Sequence, residues 1–174
     1  MRGRQLSQAG APSLAVRAAR FEDVPAILRL IRGAIEHGCR DHYDGAQRRA
    51  VYLAYASNLF VDVRGPFEML AAEIGGQLAG VAQLDLDAGA LRALFVDAAI
   101  QGQGVGRALL AATEARAGAA GCSRLRGAMS LNAVPFYARA GFVPCDGPTR
   151  VRSAGVRVPV VWMEKSLRPW SSSG

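Results

Sequence analysis

Apolar residues recur along this chain with two periods, and the change between them divides it. Between Asp23 and Leu59 the period is helical. Asp23 reads as an N-cap, Pro25 sits in the first turn, and residues 24, 27, 28, 31 and 35 are apolar. Gly38 ends that helix. A second is expected from Ala46 to Leu59, with Val51, Tyr52, Tyr55 and Leu59 on one face. Before them "LAVRAA" at 14–19 reads as a strand, and "DVRGP" at 62–66 as a turn. Beyond it the period shortens. "FEMLAAEI" and "QLAGVAQLDL" flank Gly75-Gly76, a two-residue hairpin signal. "LDAG" at 86–89 makes another turn, and "ALRALFVD" at 90–97 a third strand of a meander.

A glycine loop follows, then a helix with Val105, Ala108, Leu109 and Ala112 on one face, punctuated by Gly118 and Gly121. "SRLRGAMSL" at 123–131 reads as a strand, "NAVPFYARAGF" as a short helix closed by Gly141, and "VRVPVVWMEKSL" at 156–167 as a last strand. One more short strand is expected near "FVPC". The order β-α-α-β-β-β-α-β-α-β puts one parallel crossover into a mostly antiparallel sheet. The expected fold is α+β: a mixed central sheet of six to seven strands with helices on both faces. At 174 residues, one domain over 14–167 suffices, with a flexible lead at 1–13 and a flexible tail at 168–174.

Composition narrows the class. With 51% hydrophobic and 20% charged residues, the chain is not of disordered type. No apolar run reaches the ~18 residues that span a bilayer. The basic N-terminus has no apolar secretory core, so a cytoplasmic protein is expected. Cys39, Cys122 and Cys145 are odd in number and form no C-x-x-C pair, which points to buried thiols. The net charge of +7 favours anionic partners. Its arginines are scattered, with no basic block and few neighbouring aromatics, so a nucleic-acid partner is not indicated.

The stretch Gln101-Gly102-Gln103-Gly104-Val105-Gly106-Arg107 carries the sharpest signal. A P-loop needs Lys-[Ser/Thr] where Arg107-Ala108 stand. A dinucleotide fingerprint needs a third glycine where Arg107 or Leu109 stands. What the glycines do permit is a turn whose N–H groups converge at a helix start, a site for phosphate or pyrophosphate. On spacing alone, a plain strand-to-helix turn is an equal reading.

Gln101 to Gly106 resembles the [QR]-x-x-G-x-[GA] loop of the GCN5-related N-acetyltransferase superfamily. "LFVDAAI" before it and the amphipathic helix after it match that setting. "SLNAVPFYARAGF" resembles the superfamily's second signature. The resemblance covers roughly residues 15–165. It implies acetyl-CoA as co-substrate, no metal, and direct acetyl transfer to a primary amine of an unidentified acceptor, a small molecule or a peptide. Compact single-domain members are often homodimers. Gln101, Gly102, Gln103, Gly104, Val105, Gly106 and Arg107 would cradle the pyrophosphate. Leu94, Phe95 and Val96 would offer backbone to the pantetheine arm, Asn132 would touch that arm or cap its helix, and Ser130 is a weaker contact. Arg107 and Arg139 would meet the nucleotide.

The resemblance makes Tyr137 the general acid for the leaving thiolate. A lysine-like amine, with pKa ~10.4, is neutral in only about one molecule in a thousand at pH 7.4, so a base or a water chain must act. Some members carry a Glu in the strand before the loop. Here Ala90 to Val96 has no carboxylate, which leaves Asp85, Asp87 and, more remotely, Glu73 as candidates. The first two helices usually build the acceptor pocket, which points to His42 and Tyr43. "EHGCRDHYDG" has metal-ligand residue types, but its spacings fit no standard zinc site. A non-catalytic acyl-CoA-binding module on the same fold is the alternative.

Overall fold

A computed structural model describes residues 13–57, 59, 63 and 65–167. Outside them lie the expected lead, save residue 13, the expected tail, and residues 58, 60–62 and 64 around the expected second-helix end and the 62–66 turn. Eight strands form one sheet: β1 (Leu14–Ala18), β2 (Glu68–Ile74), β3 (Gln77–Asp85), β4 (Ala90–Val96), β5 (Arg124–Ser130), β6 (Val143–Pro144), β7 (Arg150–Ser153) and β8 (Val156–Ser166). Their order is β1-β2-β3-β4-β5-β8-β6, and β7 pairs with β8. Every pairing is antiparallel except β4 with β5. The sheet has one strand more than the upper expectation. The extra one, β7, pairs across a turn at Ala154-Gly155, where Ala154 has a φ of 44°. No Asn-Gly or Gly-Gly announces that turn.

Among the described residues four helices cover the sheet: α1 (Val24–Gly38), α2 (Gly45–Ala56), α3 (Val105–Ala119) and α4 (Val134–Arg139). Alternation along the strands sends side chains to both faces. Met69 and Val81 pack with Ile27, Ile31 and Ile35 of α1, whereas Leu70, Ala72, Ala79 and Ala82 pack with Val105 and Leu109 of α3. A third cluster joins Leu84, Leu91, Leu110, Leu125, Tyr137, Phe142 and Met163. Each fully buried aliphatic side chain contributes about 1.5–3 kcal/mol. No helix among the described residues is long and apolar enough to cross a membrane.

Two helix starts depart from expectation. α2 begins at Gly45 because Asp44 caps it: its Oδ1 accepts from Gln47 N at 2.8 Å, and Gln47 Oε1 accepts from Asp44 N at 3.1 Å. Asp23 precedes α1 but makes no side-chain cap bond to it. Its carboxylate instead accepts from Arg20 N at 2.7 Å and from Arg17 Nη1 at 2.7 Å, and Arg17 also pairs with Glu73. That cluster ties β1 to β2 and to the 3-10 turn Phe21–Asp23.

The Arg17 hydrogen bonds hold the Asp23 carboxyl below its ordinary value of 3.8. A depressed carboxyl contributes stability that is complete above the unfolded value and is lost as pH falls below it. Denaturant melts of the wild type should therefore lose stability below about pH 3.8. In Asp23→Asn that acid-dependent loss should shrink. An unchanged pH profile in the variant would show that the cluster contributes nothing.

Candidate active site

The sheet opens where its one parallel pair lies. β4 and β5 pair only at Ala90↔Arg126, and beyond that point the strands part. Two cavities fill the gap. One, of about 470 Å³, is lined by Ala90–Phe95 of β4, Gly127–Ser130 of β5, and residues of α2, β7 and β8. The other, of about 620 Å³, lies over the glycine loop. They share Leu94, Ala133 and Tyr137.

The loop cavity begins at the start of α3. Gly104 is the residue before that helix, and its φ of 86° is left-handed, as is that of Gly102. The turn frees the N–H groups of Gly104, Val105, Gly106 and Arg107: the first loop-to-helix bond runs from Ala108 N to Gly104 O. Among the described residues those four amides have no acceptor. They converge at the positive end of a 15-residue helix dipole. Gly80 on β3 lets this helix lie close, since a Cβ there would stand 2.8 Å from Leu109 Cδ1 and 2.9 Å from Val105 Cγ1.

Of the residues named from the sequence for the cofactor, Gln101, Gly102, Gly104, Val105, Gly106, Arg107, Asn132, Arg139, Leu94 and Val96 line the loop cavity. Gln103 does not, and Phe95 lines the other cavity, edge-on to Tyr55 at 5.1 Å. Phe136 and Ala140 line the loop cavity without having been expected; Phe136 falls on the helix that carries Tyr137, and Ala140 caps its end. Asn132 does not cap α4, whose N-cap is Ala133. Its Oδ1 accepts from the Cys39 thiol at 3.4 Å, which ties the site to the end of α1. Burial pushes that thiol up to about 11, so it stays protonated.

Tyr137 stands where the cavities meet. It is 5% exposed, held edge-on by Phe136 at 5.0 Å and by Phe142 at 5.4 Å. Its hydroxyl makes no hydrogen bond to any described residue, and burial raises the phenol far above the ordinary tyrosine range.

The larger corrections concern the other cavity. Asp85 and Asp87 line neither cavity. Asp85 Oδ1 accepts from Ala88 N at 3.0 Å and closes the turn after β3. Glu73 is paired with Arg17. His42 is exposed and lines neither cavity. Tyr43 does line the first cavity, but it is buried and its hydroxyl is engaged twice. It donates to Pro159 O at 2.8 Å and accepts from Leu131 N at 2.9 Å. That makes it a latch between β8 and the segment carrying Asn132. Tyr43→Phe strands both backbone groups and should cost about 1–3 kcal/mol, read as a lower midpoint in a denaturant melt. A midpoint equal to the wild type's would dismiss the latch.

No Asp, Glu, His or Lys lines the first cavity among the described residues; Arg92 is its one charged side chain. No group of three His, Cys, Asp or Glu side chains that could hold a metal ion occurs among the described residues.

The family model of the acetyltransferase (GNAT) domain matches residues 48–167. The chain is similar to the structure of a GCN5-related N-acetyltransferase from Rhodopseudomonas palustris, also designated a class-II aminotransferase. Identity is 28%, coverage 95% of this chain and 100% of that one, and the TM-score 0.82. It shares its fold with the PaiA N-acetyltransferase of Thermoplasma acidophilum, solved with coenzyme A: 19% identity, 88% and 99% coverage, TM-score 0.76. A ribosomal-protein-alanine N-acetyltransferase from Brucella melitensis shares it too: 22% identity, 88% and 99% coverage, TM-score 0.62. Among curated proteins, none matches the sequence.

Proposed function

The chain belongs to the GNAT acetyltransferase family, and on that premise we propose that it transfers an acetyl group directly from acetyl-CoA to a primary amine. The observation that carries this reading is the junction at Leu94, Ala133 and Tyr137. It joins a cavity with four unpartnered amides to a separate, mostly apolar cavity, one for each reactant.

In the loop cavity the residues present fit coenzyme A. The four free amides from Gly104 to Arg107 take the pyrophosphate. Arg107 and Arg139 both line the cavity and both are exposed, placed for the nucleotide phosphate. The unpaired edge of β4 at Leu94–Val96 and the side of Asn132 receive the pantetheine arm, as a sheet edge receives an added strand. A protein of the same fold was solved with coenzyme A, which supports coenzyme A as the ligand.

The amine enters from the other cavity. Its nitrogen lone pair attacks the thioester carbonyl carbon, a C–N bond forms, and a β4 N–H steadies the oxyanion. The C–S bond then breaks and Tyr137 gives its proton to the departing sulfur. The proton lost by nitrogen travels through water in the open cavity and restores the phenol. No general base among the described residues lines that cavity. The same gap is the observation that favours a second reading, a module that binds acyl-CoA without turnover.

Calorimetric titration with acetyl-CoA should give micromolar affinity, on the order of −7 to −9 kcal/mol. An amine panel read by free-thiol release should then show turnover. Absence of binding sinks the proposal, while binding without thiol release from any amine leaves only the non-catalytic module.

A further inference from the structure

The acceptor cavity is mostly apolar, with Gln83, Ser130 and Ser153 among its polar lining residues and one charged side chain, Arg92, and that cation sits on an irregularity in the sheet. In the register of β3 with β4, Gln83 faces Ala93 and Leu84 faces Leu91, so Arg92 is the extra residue of a β-bulge. Bulges re-aim side chains and cluster beside active sites. Here the bulge is secured from both sides. Tyr55 of α2 donates its hydroxyl to Arg92 O at 2.8 Å, and the Arg92 guanidinium lies over the Phe67 ring at 4.3 Å. Among the described residues, no carboxylate stands within ion-pair distance of it. The remaining wall includes Val51, Tyr55, Phe67, Val151, Val158 and Trp162.

We propose that the acceptor is a free α-amino acid with an apolar or aromatic side chain, and that Arg92 holds its carboxylate. This rests on the acetyl-transfer reading above and narrows its substrate. An arginine fork matches a carboxylate with two parallel hydrogen bonds, and stacking on Phe67 limits where that fork can point. The aromatic and aliphatic wall takes the side chain. The α-amine, one carbon from both, is carried toward the Tyr137 junction.

The same pairing answers the missing base. In a free amino acid the carboxylate stabilises the neighbouring ammonium. Neutralised by Arg92, it no longer does so, and the amine drops toward the value of a chain-terminal α-amine. With a pKa near ~7.8, about a quarter is neutral at pH 7.4, against about one in a thousand for a lysine-like amine. Polyamines and lysine side chains would bring a second cation or a strongly basic amine to a wall that, among the described residues, has no anion and one arginine, and are disfavoured.

The test measures thiol release with L-phenylalanine, L-phenylalaninamide, spermidine, a peptide beginning with alanine and a peptide containing lysine. The wild type should prefer the free acid. In Arg92→Gln the ratio of kcat/KM for acid to that for amide should fall about 10- to 100-fold, mainly through KM. Arg92→Lys, which keeps charge without the fork, should fall between. A second readout needs no turnover: N-acetyl-L-phenylalanine should bind the wild-type complex with coenzyme A in calorimetry, and bind Arg92→Gln at least about tenfold more weakly. Acetyl-CoA titration of each variant checks that it is folded.

An acid-to-amide ratio near one in the wild type, an unaltered ratio in Arg92→Gln, or a preference for spermidine or either peptide overturns the inference while acetyl transfer stands. Failure of every amine, with no binding of the N-acetyl product, removes the acetyl-transfer reading and this one together.

Discussion

Tyr137→Phe should lower kcat by about 10²- to 10³-fold, the range for loss of a positioned acid, with acetyl-CoA affinity kept. The physical case is that this change removes one atom and little else. The ring is held edge-on between Phe136 and Phe142, contacts a phenylalanine retains. The hydroxyl has no described partner to strand, so no buried polar group is orphaned. Burial holds the phenol protonated across any working pH, so Tyr137 itself should put no limb into the pH–rate profile. Burial also makes it a weak acid. The proton must therefore move in concert with C–S cleavage and be replaced through the water path, which predicts a solvent isotope effect on kcat in the wild type. Steady-state thiol release and acetyl-CoA calorimetry on both proteins decide the matter. If kcat stays within about threefold, well short of a general-acid contribution, Tyr137 only packs.

Gly104→Glu should weaken acetyl-CoA binding by more than about 100-fold. At a φ of 86° a side chain costs roughly 1–2 kcal/mol. The larger effect is charge. The carboxylate would occupy the N-terminus of α3, where the pyrophosphate belongs. At ~4 Å, like charges repel by ~4 kcal/mol at the effective dielectric of a protein surface, more than two decades of affinity. The helix itself tolerates the change, because an acid at its N-terminus offsets about 0.3–1 kcal/mol of strain. No neighbour lies within 4 Å of the new Cβ. Gly104→Ala separates the two causes, since it carries the strain alone and should bind about tenfold more weakly. Calorimetry on three folded proteins reads the series. Equal losses in Ala and Glu would mean that loop shape, not phosphate recognition, governs binding.

Much of the loop side of the site was legible in the chain, for local reasons. A left-handed turn demands glycine, a helix start leaves free amides, and an apolar stripe at 3.6 spacing follows. All three are written within Gln101–Ala112. The hairpin at Gly75-Gly76 and the faces of α1 and α3 are of the same kind. Asp85 and Asp87 misled because alternation tells which face a residue takes and not what stands opposite. In the folded chain the Asp85 carboxylate closes its own turn. Arg92 gave no signal, since in a regular strand it reads as an outward, solvated residue. The role proposed for it depends on a bulge, and a bulge exists only between two paired strands.

The helices, every strand but β7, the hairpin and the left-handed glycine loop were therefore determined by sequence alone, because each is set by backbone preference within a few residues. The first cavity was decided by tertiary structure alone. It brings Tyr43, Tyr55, Phe67, Arg92, Met129 and Trp162 together, from six separate elements and connections. No local period encodes that meeting. It arises because β4 and β5 pair once and then part, leaving a gap that helices and a late hairpin enclose.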